Sequence, residues 1–106
     1  MAIEIKKIDE LNNILQKEEN VIIDFYANWC GPCQMYTPVF NEVALKRKDV
    51  KMVSINIDIN TEIVKFYSVQ SIPATFLFKK GKQVNKILGF MSVEKLNHNI
   101  DDLVKS

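Results

Sequence analysis

The chain has 106 residues, 47% hydrophobic and 25% charged, with a net charge of +1. That is the size and balance of one soluble domain with a real core, and the near-zero charge gives no reason to expect nucleic acid or an anionic membrane as a partner. No apolar run is long enough to cross a bilayer, no secretory leader is visible at Met1-Ala2-Ile3-Glu4-Ile5, and two cysteines at one short spacing do not make a disulfide framework. The expectation is a single cytoplasmic domain over residues 1–106.

Ile3-Glu4-Ile5 alternates as a short first strand would. Asp9 is a candidate N-cap for a helix whose apolar face is Leu11, Ile14 and Leu15 and which runs to about Lys17. Glu18-Glu19-Asn20 is a polar loop leading into residues 21–27. These are apolar except for Asp24, the pattern of a strand buried on both faces. A second helix begins at Trp29-Cys30-Gly31-Pro32-Cys33 and extends to roughly Arg47, with Tyr36, Val39, Phe40, Val43 and Arg47 at helical spacing. Pro32 suits its first turn, whereas Pro38 removes a backbone bond and predicts a kink.

Residues 52–57 alternate strictly and read as a third strand. Asn60 can cap a short helix carrying Ile63, Val64, Phe66 and Tyr67. Ile72-Pro73 precedes the apolar run Thr75-Phe76-Leu77-Phe78, then a turn at Lys80-Gly81-Lys82 with Gly81 free to take positive φ. A strand over about residues 83–88 pairs back as a hairpin and ends at Gly89. Ser92 caps a final helix with Val93, Leu96, Ile100, Leu103 and Val104 on one face. Strand–helix alternation followed by a hairpin and a helix implies a mixed sheet in an α/β or α+β domain.

The chemistry lies in Trp29-Cys30-Gly31-Pro32-Cys33, at the junction between the buried strand and the second helix. Two thiols separated by two residues can close and reopen a small disulfide ring. A thiolate at a helix N-terminus is stabilised by the free N–H groups and the positive end of the macrodipole, and the thiolate is the nucleophile of disulfide exchange. A zinc site needs four ligands, and the chain offers two thiols and the distant His98, which reads as solvated. Trp29, beside a glycine–proline turn, reads as an exposed apolar lip for docking. Met35, Met52 and Met91 read as packing residues. Asp24 is costly to bury as a charge, so desolvation should raise its pKa above its usual value of about 3.9.

The stretch from Asp24 to Cys33 resembles the active-site signature of the thioredoxin family. Ser68-Val69-Gln70-Ser71-Ile72-Pro73-Ala74-Thr75 resembles the family's second landmark, a hydrophobic residue before a cis proline, and Gly89 its third. The resemblance covers essentially the whole chain. It implies an α/β thioredoxin fold, a mixed five-stranded central sheet flanked by four helices. It also implies a protein-disulfide reductase in which an exposed Cys30 attacks, Cys33 resolves the mixed disulfide, and Asp24 beneath Cys33 moves its proton.

Substrate would dock on Trp29, Gly31, Pro32, Ile72, Pro73 and Gly89, with the Ile72 backbone pairing to an extended segment. The resemblance implies no bound cofactor or metal, electrons supplied by a thioredoxin reductase, disulfide-containing client proteins as partners, and a monomer. Two rivals stand beside this reading. Oxidases and isomerases of the fold commonly carry histidine where Pro32 stands, and other members of the fold serve as non-catalytic binding subunits. The chain departs from the family pattern at Gln34 and Ser54, where many relatives have a basic residue and a lysine. It departs again at Ala74, where threonine is usual, and at Phe90, where a small residue is usual. Without the lysine, Asp24 should stay protonated to higher pH.

Overall fold

In the computed structural model, which describes residues 2–106, nine elements follow one another: β1 (Ile3–Ile5), α1 (Ile8–Lys17), β2 (Asn20–Tyr26), α2 (Gly31–Lys46), β3 (Lys51–Asn56), α3 (Thr61–Phe66), β4 (Ala74–Lys79), β5 (Lys82–Leu88) and α4 (Val93–Lys105). The strands form one sheet in the order β1-β3-β2-β4-β5. β1, β3 and β2 run parallel, while β4 and β5 are antiparallel additions. This is the five-stranded mixed sheet with four helices that the resemblance implies. No helix among the described residues is long and apolar enough to cross a membrane.

Alternation along β2 divides the core in two, because successive strand residues point to opposite faces. Val21, Ile23 and Phe25 pack with Leu11 and Leu15 of α1 and Ile63 of α3. Ile22 packs with Tyr36, Phe40 and Val43 of α2 and Leu96, Ile100 and Leu103 of α4. Asp24 is two residues from Ile22 and so lies on the α2–α4 face. Each fully buried aliphatic or aromatic side chain contributes about 1.5–3 kcal/mol by leaving water. Packing adds to this where Phe25 meets Phe76 edge-on, with ring centroids 4.9 Å apart.

The hairpin turn between β4 and β5 follows from its residues. Lys79 pairs with Lys82, leaving Lys80 and Gly81 as a two-residue connection at φ 51° and 81°. Two successive positive φ values match the right-handed twist of the flanking strands. Ser92 caps α4 as its position predicts, its hydroxyl accepting from the Lys95 N–H at 3.1 Å.

Several local expectations give way to the structure. Lys7, not Asp9, is the N-cap of α1, and Asp9 sits in the first turn, where its charge favours the helix dipole. Asn20 belongs to β2, paired with Lys79, instead of to the preceding loop. Asn60 holds the N-cap position of α3, but its amide donates to Asn56 O at 2.9 Å and caps nothing. Phe66 lies exposed on α3, where Ile63 alone is buried. Met52 and Met91 are buried, but Met35 is exposed on α2.

Candidate active site

β2 ends at Tyr26, and the chain turns through Ala27 to Trp29 before α2 begins at Gly31. Cys30 occupies the N-cap of α2 in an extended conformation, at φ −92° and ψ 113°. Its Sγ accepts the Cys33 N–H at 3.2 Å, and its carbonyl accepts the Gln34 N–H at 3.1 Å. The sulfur therefore receives one of the first free N–H groups of the helix and lies at its positive end. Cys30 and Cys33 are joined as a disulfide, with Cα atoms 5.2 Å apart.

Neither sulfur-bearing residue is broadly accessible. Cys30 is 6% exposed and Cys33 1%. The exposed Cys30 expected from the sequence is thus corrected to a narrow opening, because Ala27, Tyr26, Ile57 and Ile72 pack around the pair. Gly31 and Pro32 are exposed, and a side chain on Gly31 would meet no atom within 4 Å. Trp29 is 69% exposed and held by its indole N–H, which donates to Asp58 Oδ2 at 2.9 Å. The Gln34 amide donates across the turn to Asn28 O at 2.7 Å, so this departure from the family pattern is a brace of the loop.

The second wall comes from the segment before β4. Ile72–Pro73 is a cis peptide, and Ile72 O lies 4.0 Å from Cys30 Sγ. Among the described residues, neither the N–H nor the carbonyl of Ile72 has a backbone hydrogen bond. Gly89, at φ 92°, donates its N–H to Pro73 O at 2.7 Å and so ties the end of β5 to this wall. Phe90, directly after it, is partly exposed and meets Tyr36 edge-on at 6.0 Å.

Asp24, which lines one cavity with Cys33, is 2% exposed, with Oδ1 lacking any hydrogen-bond partner. Burial pushes its pKa up to about 7, with a further rise from the charge of Glu4. The direction is the one expected from sequence; Glu4 was not foreseen. Asp24 pairs with Ser54 on one side and Thr75 on the other, and Ser54 pairs in turn with Glu4. A cavity of about 510 Å³ reaches this row and is lined by Asp24, Cys33, Glu4, Tyr26 and Ser54 among others. Tyr26 Oη donates to the Glu4 carboxylate, 2.9 Å from each oxygen. Thr75 and Tyr36 form a buried hydroxyl pair at 2.8 Å. Neither Glu4 nor this pair carried a signal in the sequence, since the first depends on strand order and the second on how α2 packs on the sheet. His98 is exposed on α4, 3.5 Å from Asp102, and does not line the cavity at Asp24.

The thioredoxin family model matches residues 2–102. The chain is 41% identical over 87 residues to a thioredoxin of Mycoplasmoides gallisepticum, covering 82% of this chain and 87% of that one. It is 35% identical over 96 residues to a thioredoxin of Mycoplasma genitalium, covering 91% and 94%. Among solved structures, a mutant thioredoxin from Halobacterium salinarum superposes with a TM-score of 0.91 at 31% identity, covering 97% of this chain and 90% of that one.

Proposed function

The chain belongs to the thioredoxin family and is a dithiol–disulfide oxidoreductase, and on that premise we propose that it reduces protein disulfides with Cys30 as nucleophile and Cys33 as resolving thiol. The observation that carries the division of labour is the N-cap position of Cys30, whose sulfur takes the Cys33 N–H while Cys33 lies deeper. In the dithiol form, the Cys30 thiolate attacks one sulfur of the client disulfide. A Cys30–client bond forms, and the other client sulfur leaves as a thiolate and takes a proton from water. Cys33 then loses its proton to Asp24 and attacks Cys30 Sγ. The Cys30–Cys33 bond forms, the client sulfur leaves as a thiolate and takes a proton from water, Asp24 returns its proton to solvent, and two electrons have passed to the client.

Asp24 suits the base in this scheme because a carboxyl group titrating near 7 is matched to neutral working pH. The exposed Trp29, Gly31 and Pro32 and the unpaired Ile72 backbone supply a docking edge beside Cys30, with Pro73 and Gly89 supporting it. The scheme needs no bound cofactor. A separate thioredoxin reductase would return the disulfide to the dithiol, with the protein acting as a monomer in the cytoplasm. Pro32, where oxidising and isomerising relatives carry histidine, supports the reducing direction, which a measured reduction potential tests.

The division of labour is tested by trapping. A Cys33→Ser variant should accumulate covalent complexes with a disulfide-containing client, whereas Cys30→Ser should trap almost none. Equal trapping by the two variants would overturn the assignment.

A further inference from the structure

We propose that Glu4 is a positioning residue for the resolving step: a second carboxylate facing Asp24 across the same cavity, it keeps Asp24 basic enough to take the proton of Cys33. The inference rests on the reading of Asp24 given above. Its geometry comes from the sheet. Glu4, Ser54 and Asp24 are successive partners across β1, β3 and β2, so their side chains leave the same face in one row. Glu4 and Asp24 both line the cavity that reaches Cys33, and Ser54, the residue between them, brings no charge.

The Glu4 carboxylate is also held in place. Tyr26 lies two residues beyond Asp24 on the same face of β2, and its hydroxyl contacts both carboxylate oxygens. A carboxylate fixed at this point lowers the potential along the cavity, and nothing in the lining opposes it. β1 presents Glu4, β2 presents Tyr26, and α2 presents Cys33 and Tyr36. β3 and β4 present the hydroxyls of Ser54 and Thr75. Among the described residues, no lysine, arginine or histidine lines the cavity.

The chemical consequence is one of base strength. A buried thiol gives up its proton reluctantly, and a carboxylate of ordinary acidity is a weak acceptor for it. A neighbouring negative charge makes Asp24 a stronger base, and its rise toward neutrality has Glu4 as its second cause after burial. Two strand spacings, about 10 Å, separate Glu4 from Asp24. Between a protein-like and a water-like dielectric, one charge at that range moves a titration midpoint by roughly a third to one pH unit.

The test titrates the Asp24 carboxyl carbon by NMR, at low salt, in the oxidised parent, Glu4→Gln and Glu4→Lys. In the same series, the rate at which Cys33 releases client from a preformed Cys30 mixed disulfide is followed against pH. Glu4 is exposed, so both variants should fold. The Asp24 midpoint should fall by roughly a third to one unit in Glu4→Gln and about twice as far in Glu4→Lys. The pH midpoint of release should move down in the same order. An Asp24 titration that stays put in both variants, or a release profile that does not follow it, would overturn the role of Glu4. An Asp24→Asn variant separates this from the parent reading. If Asp24→Asn leaves the release profile unchanged, Asp24 is not the base and the proposed mechanism fails. If Asp24→Asn alters the profile while the Glu4 variants do not, Glu4 alone is rejected.

Discussion

Two adjacent rows of the same sheet have opposite characters. Ile5, Ile55, Phe25, Ala74 and Leu88 form one row across all five strands, facing α1 and α3 over most of its width. One position along each strand, a residue earlier on β1, β3, β2 and β5 and a residue later on antiparallel β4, Glu4, Ser54, Asp24, Thr75 and Ile87 form a row on the α2–α4 face. The first row is apolar throughout; the second puts four oxygen-bearing side chains next to each other, three of which line the cavity that reaches Cys33. The pleat allows this, since neighbours in sequence belong to different faces and can be given to different tasks. Packing on one face holds β2 in place, and on the other face β2 presents Asp24 to the cavity it shares with Cys33.

The contrast can be broken most heavily on the dry side. Phe25 is fully buried and meets Phe76 edge-on, so Phe25→Ala should cost about 3–5 kcal/mol in urea unfolding. A cost under 1 kcal/mol would mean that this row is not what secures β2.

On the polar row the same measurement should move in the opposite direction. Asp24 in the folded chain titrates near 7 instead of its ordinary 3.8. Between those values the folded state holds a proton that the unfolded chain has lost, so stability falls as pH rises from about 4 to about 7 and levels off above. The full difference corresponds to roughly 4 kcal/mol. Asp24→Asn should therefore stabilise the protein at pH 8 by up to about that amount, with the gain vanishing near pH 4. An equal effect at both pH values would show that the carboxyl is not buried at a cost.

The smallest effect sharpens the comparison. Tyr36→Phe or Thr75→Val each leaves a buried hydroxyl without its partner and should cost about 1–3 kcal/mol, while the double variant should cost less than the two together. Strict additivity in chemical denaturation would mean the 2.8 Å contact contributes no coupling.

What the sequence determined by itself was local. The glycine and proline between Cys30 and Cys33, following an apolar strand and preceding a helical stripe, place the cysteines at a helix start whatever surrounds them. Gly81 in its turn and Ser92 at its cap act within three or four residues of themselves. A carboxylate amid Ile22, Ile23, Phe25 and Tyr26 announced its own desolvation. The family resemblance then supplied the fold and the cis peptide before Pro73, which periodicity could not.

Only the tertiary structure decided the rest. Glu4 comes to Asp24 through β3, which inserts between β1 and β2, and no spacing along the chain encodes that order. Cys30 is narrowed to a slot because Ile72 arrives from 42 residues away. Met35 and Phe66 have the composition of core residues, and their exposure was fixed by which helix faces met the sheet. Short-range stereochemistry is written in adjacent residues. The electrostatic setting of Asp24 is a sum over charges whose positions exist only once the strands have paired.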